Sequence, residues 1–230
     1  MTESMQREEK RQKLEYAENL KGKTEDEKLA VSYFYNILKS KGYWSKNKIV
    51  PMVTDAQYDE LVSKRAEEIT SQSVLAALGL SSPPPWIMDP FKVCTPEFQD
   101  AEYVKMGADL KARSSRISTT FIFYASTVMY VYSRTVSLTD HYCREFATSI
   151  MYKDISSVSL TTETHEARHD VIEPGGCFRK AKEVSVWIPG TTNKIEFTIP
   201  GKTIEVNVGG AKTVMTSEIA NLRSIIAKCK

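Results

Sequence analysis

From Ile117 onward the chain is a close run of strand patterns ending in one amphipathic helix, and this order restricts the fold more than any other feature. "ISTTFIFY" and "VMYVYSRTV" are rich in aromatic and β-branched residues and are separated only by Ala125-Ser126-Thr127. "REFATSIMY" places Phe146, Thr148, Ile150 and Tyr152 on one face, and "DISSVSLTT" follows. "AKEVSVWI", "NKIEFTI" and "TIEVNV" complete seven strand patterns, the last two divided by Pro200-Gly201. In the closing "TSEIANLRSIIAKCK", Thr216 or Ser217 is an N-cap, and Ile219, Leu222, Ile225 and Ile226 form one apolar stripe. A lone helix after seven antiparallel strands must cover something. Plugging the open end of a bent sheet buries its stripe and shields strand edges together.

The first hundred residues have the other periodicity. Thr24 with Glu27, and Thr54 with Gln57, are capping boxes ahead of helically spaced apolar residues: Leu29, Tyr33, Phe34, Ile37 and Leu38, then Tyr58, Leu61, Val62, Ala66 and Ile69. "SVLAALGL" ends at Gly79, and the prolines of "SSPPPW" cannot continue a helix. The expected organisation is a charged, mobile segment over 1–23 and a helical region over 24–115 that ends in a Pro-rich linker and an extended connection. A seven-stranded antiparallel β-domain with its C-terminal helix follows over 116–230. The fold class is α+β.

Net charge is only +2, so no broad nucleic-acid-binding surface is advertised. No apolar run approaches membrane-spanning length, and the charged N-terminus lacks a signal-peptide core, so a cytoplasmic location is expected. Cys94, Cys143, Cys177 and Cys229 form no CxxC pair, which reads as reduced thiols.

Seven strands and a terminal helix are the elements of a pleckstrin-homology-like (PH-like) barrel. Particular residues strengthen that reading: Arg113-Ser114-Ser115, the aromatic hairpin through Phe121, Phe123, Tyr130 and Tyr132, and then Tyr152-Lys153-Asp154-Ile155. From about Leu78 to the last helix, the chain resembles a family of uncharacterised bacterial proteins that carry a C-terminal PH-like domain behind a helical N-terminal region. The resemblance implies the PH-like fold and no catalytic chemistry. It brings no phosphoinositide site either, because the turn Ala125-Ser126-Thr127 has no cation to hold a phosphate.

Several strings invite sharper readings. "HEARH", 165–169, is the H-E-x-x-H pattern; on a helix it would set His165 and His169 on one face to hold zinc, with Glu166 activating water. Its neighbours Thr162, Glu163, Thr164 and Asp170 offer no apolar stripe to bury such a helix, so a solvated loop between strands is expected. "VTDAQYDELV", 53–62, is similar to a short element of NAD-dependent DNA ligases, but the lysine-x-aspartate-glycine nucleophile of those enzymes is absent, and capping plus a core-facing Tyr58 accounts for it. His141 and Cys143 share a strand face without forming a catalytic set. Tyr124, Tyr130, Tyr132, Tyr142 and Tyr152 could stack bases only with more interleaved cations than Arg134, Arg144 and Lys153 provide.

The preferred reading is a non-enzymatic cytoplasmic binding or scaffolding protein that uses its PH-like domain for protein interaction, or self-associates. The groove between an open strand edge and the terminal helix would accept a partner segment. No residue is assigned a catalytic, cofactor-binding or metal-ligating role. The alternatives are a zinc-dependent hydrolase through 165–169 and a weak nucleic-acid binder through the basic loop 39–48, with Lys39, Lys41, Lys46 and Lys48.

Overall fold

The computed structural model describes residues 11, 14–35, 38–40, 49–51, 53–98, 100–173, 182–209 and 212–229. Helix α1 (Glu25–Phe34) begins where the capping box predicts: the Glu27 N–H donates to Thr24 Oγ1, and Glu27 Oε2 accepts from the Thr24 N–H at 2.7 Å. Ahead of it, residues 14–19 are helical and dock on α1, with the Tyr16 hydroxyl 2.7 Å from Ser32 Oγ. A short antiparallel pair, β1 (Leu38–Ser40) and β2 (Ile49–Pro51), leads to α2 (Asp55–Glu67). That helix starts with the same reciprocal bonding between Thr54 and Gln57. Helix α3 (Ser71–Ala77) stops before Gly79, whose φ of +73° is the left-handed conformation that a helix end requires.

Strand β3 (Trp86–Glu97) is followed by the small hairpin β4 (Val104–Met106) and β5 (Ala112–Ser114). Then come β6 (Arg116–Ala125), β7 (Val128–Ser137) and β8 (Cys143–Met151), and a 3₁₀ turn at Tyr152–Asp154. β9 (Ser157–Glu173), β10 (Lys182–Ile199) and β11 (Lys202–Asn207) precede the final helix α4 (Lys212–Cys229). All pairings are antiparallel. One sheet has the order β3-β6-β7-β8 and another β11-β10-β9.

Alternation along the strands gives the four-stranded sheet two working faces. Inward, Ile122, Tyr124, Met129, Val131 and Ile150 pack against Val158, Ile195, Phe197, Ile204 and Val206 of the second sheet. Ile219, Leu222 and Ile226 of α4 enter the same core, as their spacing predicts. Outward, Phe121, Phe123 and Tyr132 lie under Ile69, Val74 and Trp86, while Ile117 and Leu138 meet Ala30, Tyr33, Tyr58 and Leu61. The helical region therefore packs directly on the sheet.

The α+β class and the antiparallel strands hold; the expected barrel is two separate sheets, neither closed into a barrel, and the sequence reading differs in three further places. The seventh strand of the two sheets is β3, which falls in the stretch expected to be an extended connection. The two strands expected over 181–199 are one strand, β10. The connector expected over 162–171 is strand: β9 runs through it, paired residue for residue with β10. The last two differences share a cause, since a long ribbon needs no apolar alternation once its backbone groups are paired.

An ionic joint centred on a buried arginine ties the helices to the β4–β5 hairpin. Arg113 on β5 is 5% exposed. It makes a two-pronged bond to Asp59 at 2.8 and 2.7 Å, and another to Asp109 at 2.8 and 3.0 Å. Asp55 accepts from the Tyr33 hydroxyl at 2.8 Å, and Tyr33 stacks on Tyr58 with ring centroids 4.4 Å apart. Asp55, Tyr58 and Asp59 are the aspartates and tyrosine of "VTDAQYDELV". Their placement serves this joint.

Candidate binding groove beside the open edge

β8 ends the four-stranded sheet, and its exposure differs from that of its neighbours. Residues 143–147 are exposed on both faces, and Phe146 is 41% exposed. Two hydrogen bonds fix which of its backbone groups face away from β7: Ser137 N–H donates to Tyr142 O, and Tyr152 N–H donates to Thr127 O. Both belong to the β7–β8 register, and antiparallel pairs alternate between bonded and non-bonded. Arg144, Phe146, Thr148 and Ile150 therefore bond to β7. Cys143, Glu145, Ala147 and Ser149 turn their N–H and C=O groups to the open side.

Behind this edge, between β8 and β11, lies a groove of about 380 Å³. Its floor is the inward face of the sheet at the end where apolar residues give way to hydroxyls. Ser118 and Ser133 Oγ lie 3.0 Å apart, Thr135 Oγ1 reaches Ser118 at 3.4 Å, and Thr120 Oγ1 reaches Asn207 O at 3.0 Å. Arg144 and Phe146 form one wall, and Glu205, Val206, Asn207 and Lys194 the other, with Glu97 also lining the groove. Lys194 is engaged by Glu163 at 2.8 Å and Glu205 at 3.5 Å, and the bond to Glu163 raises its pKa against the effect of partial burial. The Arg144 side chain makes no hydrogen bond or ion pair with any described residue.

Asn207 is held in one orientation. Its Nδ2 donates to Glu97 Oε2 at 3.3 Å, and a flipped amide would set two acceptors against each other. Its Oδ1 is buried and accepts from no described residue. A buried acceptor without a donor costs about 1–3 kcal/mol, which a ligand's N–H would recover.

The other sequence candidates fall elsewhere. His165 and His169 lie on β9, opposite Gly190 and Val186. A strand rise of about 3.3 Å per residue puts their backbones about 13 Å apart, where a helix would bring them within one turn. His141 Nδ1 goes to Glu27 Oε1 at 3.1 Å, while Cys143 Sγ accepts from Arg134 Nε at 3.4 Å, so the pair serves different partners. Tyr124, Tyr132 and Tyr152 are buried and cannot receive bases. Cys177, Lys41, Lys46 and Lys48 lie outside the described residues, and Lys39 is in β1. At the expected groove between strand edge and terminal helix, Arg223 Nη2 donates to Val158 O at 2.8 Å, occupying an acceptor on the edge of β9.

Sequence reasoning did not single out the groove's polar residues. The signal available was local: "ISTT" and "YSRT" put hydroxyls where inward apolar residues were due. Among the described residues, no three metal-ligating side chains gather at one point, and no helix is long and apolar enough to cross a membrane. Comparison with known proteins gives no match to any family model, curated protein or solved structure.

Proposed function

We propose that this chain is a non-enzymatic, cytoplasmic binding protein of bacterial type. In this reading its PH-like β-domain takes up an extended segment of a partner protein along β8. The seven strands in two antiparallel sheets and the helix entering their core support the PH-like assignment. The single observation that carries the binding mode is the outward row of backbone groups at Cys143, Glu145, Ala147 and Ser149, on a strand exposed on both faces. Such an edge is a template for strand addition unless it is blunted. β3, at the other side of the sheet, carries Pro90, Pro96 and two register shifts; β8 pairs without a shift and has no proline. The position differs from the expected groove at the terminal helix, where Arg223 already covers part of β9.

Selection of displayed linear peptides on the protein tests this reading. Enriched peptides are expected to lose at least tenfold in affinity on Ala147→Pro, which removes an outward N–H while leaving the β7 bonds intact. Failure to enrich any peptide, or equal binding to a folded Ala147→Pro variant, would refute the proposal.

A further inference from the structure

The geometry points to a second binding site in the groove itself: a site for a small zwitterion of short-peptide size, with its ammonium held at Glu97 and Asn207 and its carboxylate at Arg144. Three observations meet there. The Glu97 carboxylate lines the groove and has no ion-pair partner among the described residues, its contact being the neutral Asn207 amide at 3.3 Å. The enclosed Asn207 Oδ1 accepts from nothing described and lies on the same amide. Across the floor, Arg144 offers a guanidinium with no partner among the described residues.

Opposite charges standing unpaired on one inward face could have been joined by a shorter spacing, and the register shows what prevents it. Thr95, Ser118, Thr135 and Arg144 form one row across the four strands, and Glu97 lies one pleat beyond Thr95. Three inter-strand spacings and a two-residue offset separate Glu97 from Arg144, about 16 Å at the backbone, too far for direct contact between the two side chains. An extended tripeptide spans at most about 10 Å, short enough to lie between two side chains that project from backbones this far apart. The hydroxyls of Ser118, Ser133 and Thr135 can donate or accept, so they suit a ligand's peptide groups and discriminate little among side chains. A volume of about 380 Å³ admits such a molecule.

Triglycine, its N-acetyl form and its C-terminal amide are the probes, titrated into isotope-labelled protein and followed by amide chemical shifts. Triglycine is expected to bind at least tenfold more tightly than either blocked form. Arg144→Gln is expected to erase the distinction between triglycine and its amide while preserving preference for the free ammonium. Glu97→Gln is expected to do the reverse. Ala147→Pro should leave triglycine binding within twofold, which separates this site from strand addition at the edge; a larger loss assigns the shifts to the edge and overturns the proposal. Equal binding of all three probes, no shift at ten millimolar, or discrimination unchanged in both variants overturns it as well.

Discussion

Replacing Arg113 by methionine is the most direct test of how the helical layer is held. The guanidinium is 5% exposed and donates four charge-assisted bonds of 2.7–3.0 Å to Asp59 and Asp109, plus one to Lys111 O. Methionine keeps most of the aliphatic stem, so the loss is electrostatic, with little cavity. Removing one partner of a buried ion pair costs about 3–5 kcal/mol. Here the acceptors are open to water, with the Asp59 side chain 51% exposed, so the stranded carboxylates rehydrate and the lower end applies. The expected loss is about 3 kcal/mol, or a fall in Tm of about 6–12 °C for a chain of this size. Urea unfolding measures it directly. Arg113→Lys should recover less than half, because an ammonium cannot grip two carboxylates with paired prongs. A loss below about 0.5 kcal/mol, or full rescue by lysine, would refute the reasoning.

The same joint sets a pH response. Hydrogen bonds from Arg113 hold the Asp109 carboxyl well below the usual carboxylate range. A lowered folded pKa means stability fully present above the unfolded value, about 4, and lost as pH falls towards the folded one. Urea midpoints should therefore drop below pH 4, and drop less steeply in Arg113→Met. Gly107→Ala should loosen the joint from the other side, since a Cβ there would stand 2.0 Å from Arg113 Nη1 and 2.7 Å from Asp55 Oδ2. In the Arg113→Met background its extra cost should shrink, because the nearest of the clashing atoms is gone, and full additivity in a double-mutant cycle would contradict this. Leu222→Ala removes a fully buried side chain between α4 and both sheets and should cost about 3 kcal/mol by calorimetry. A cost under about 1 kcal/mol would mean that α4 does not seal the core.

Local chemistry was the legible part. Both capping boxes form as read, because each needs only residues three apart. Gly201, at φ +83°, turns the chain between β10 and β11 where Pro200-Gly201 announced it. β3 escaped notice because Pro90 and Pro96 argue against a strand, yet an edge position tolerates both: Pro90 falls at a register shift, and Pro96 pairs in register with Ile117. The 162–171 stretch misled in the other direction: its polar residues read as loop, but β10 supplies a partner along its whole length. Arg113 and Asp59 are 54 positions apart, and Glu97 and Asn207 are 110 apart, so neither pairing has a local signature.

β6 is buried on both sides from Ile117 to Ala125, with helices on one side and the second sheet with α4 on the other. Neither covering layer can peel away without wetting Ile122 and Tyr124 on one side of this strand or Phe121 and Phe123 on the other. The chain should consequently melt as one cooperative unit, and the β6 amides should exchange only through global opening. Spontaneous sequence variation should be least tolerated there, since a polar replacement on either side disturbs a different half of the molecule.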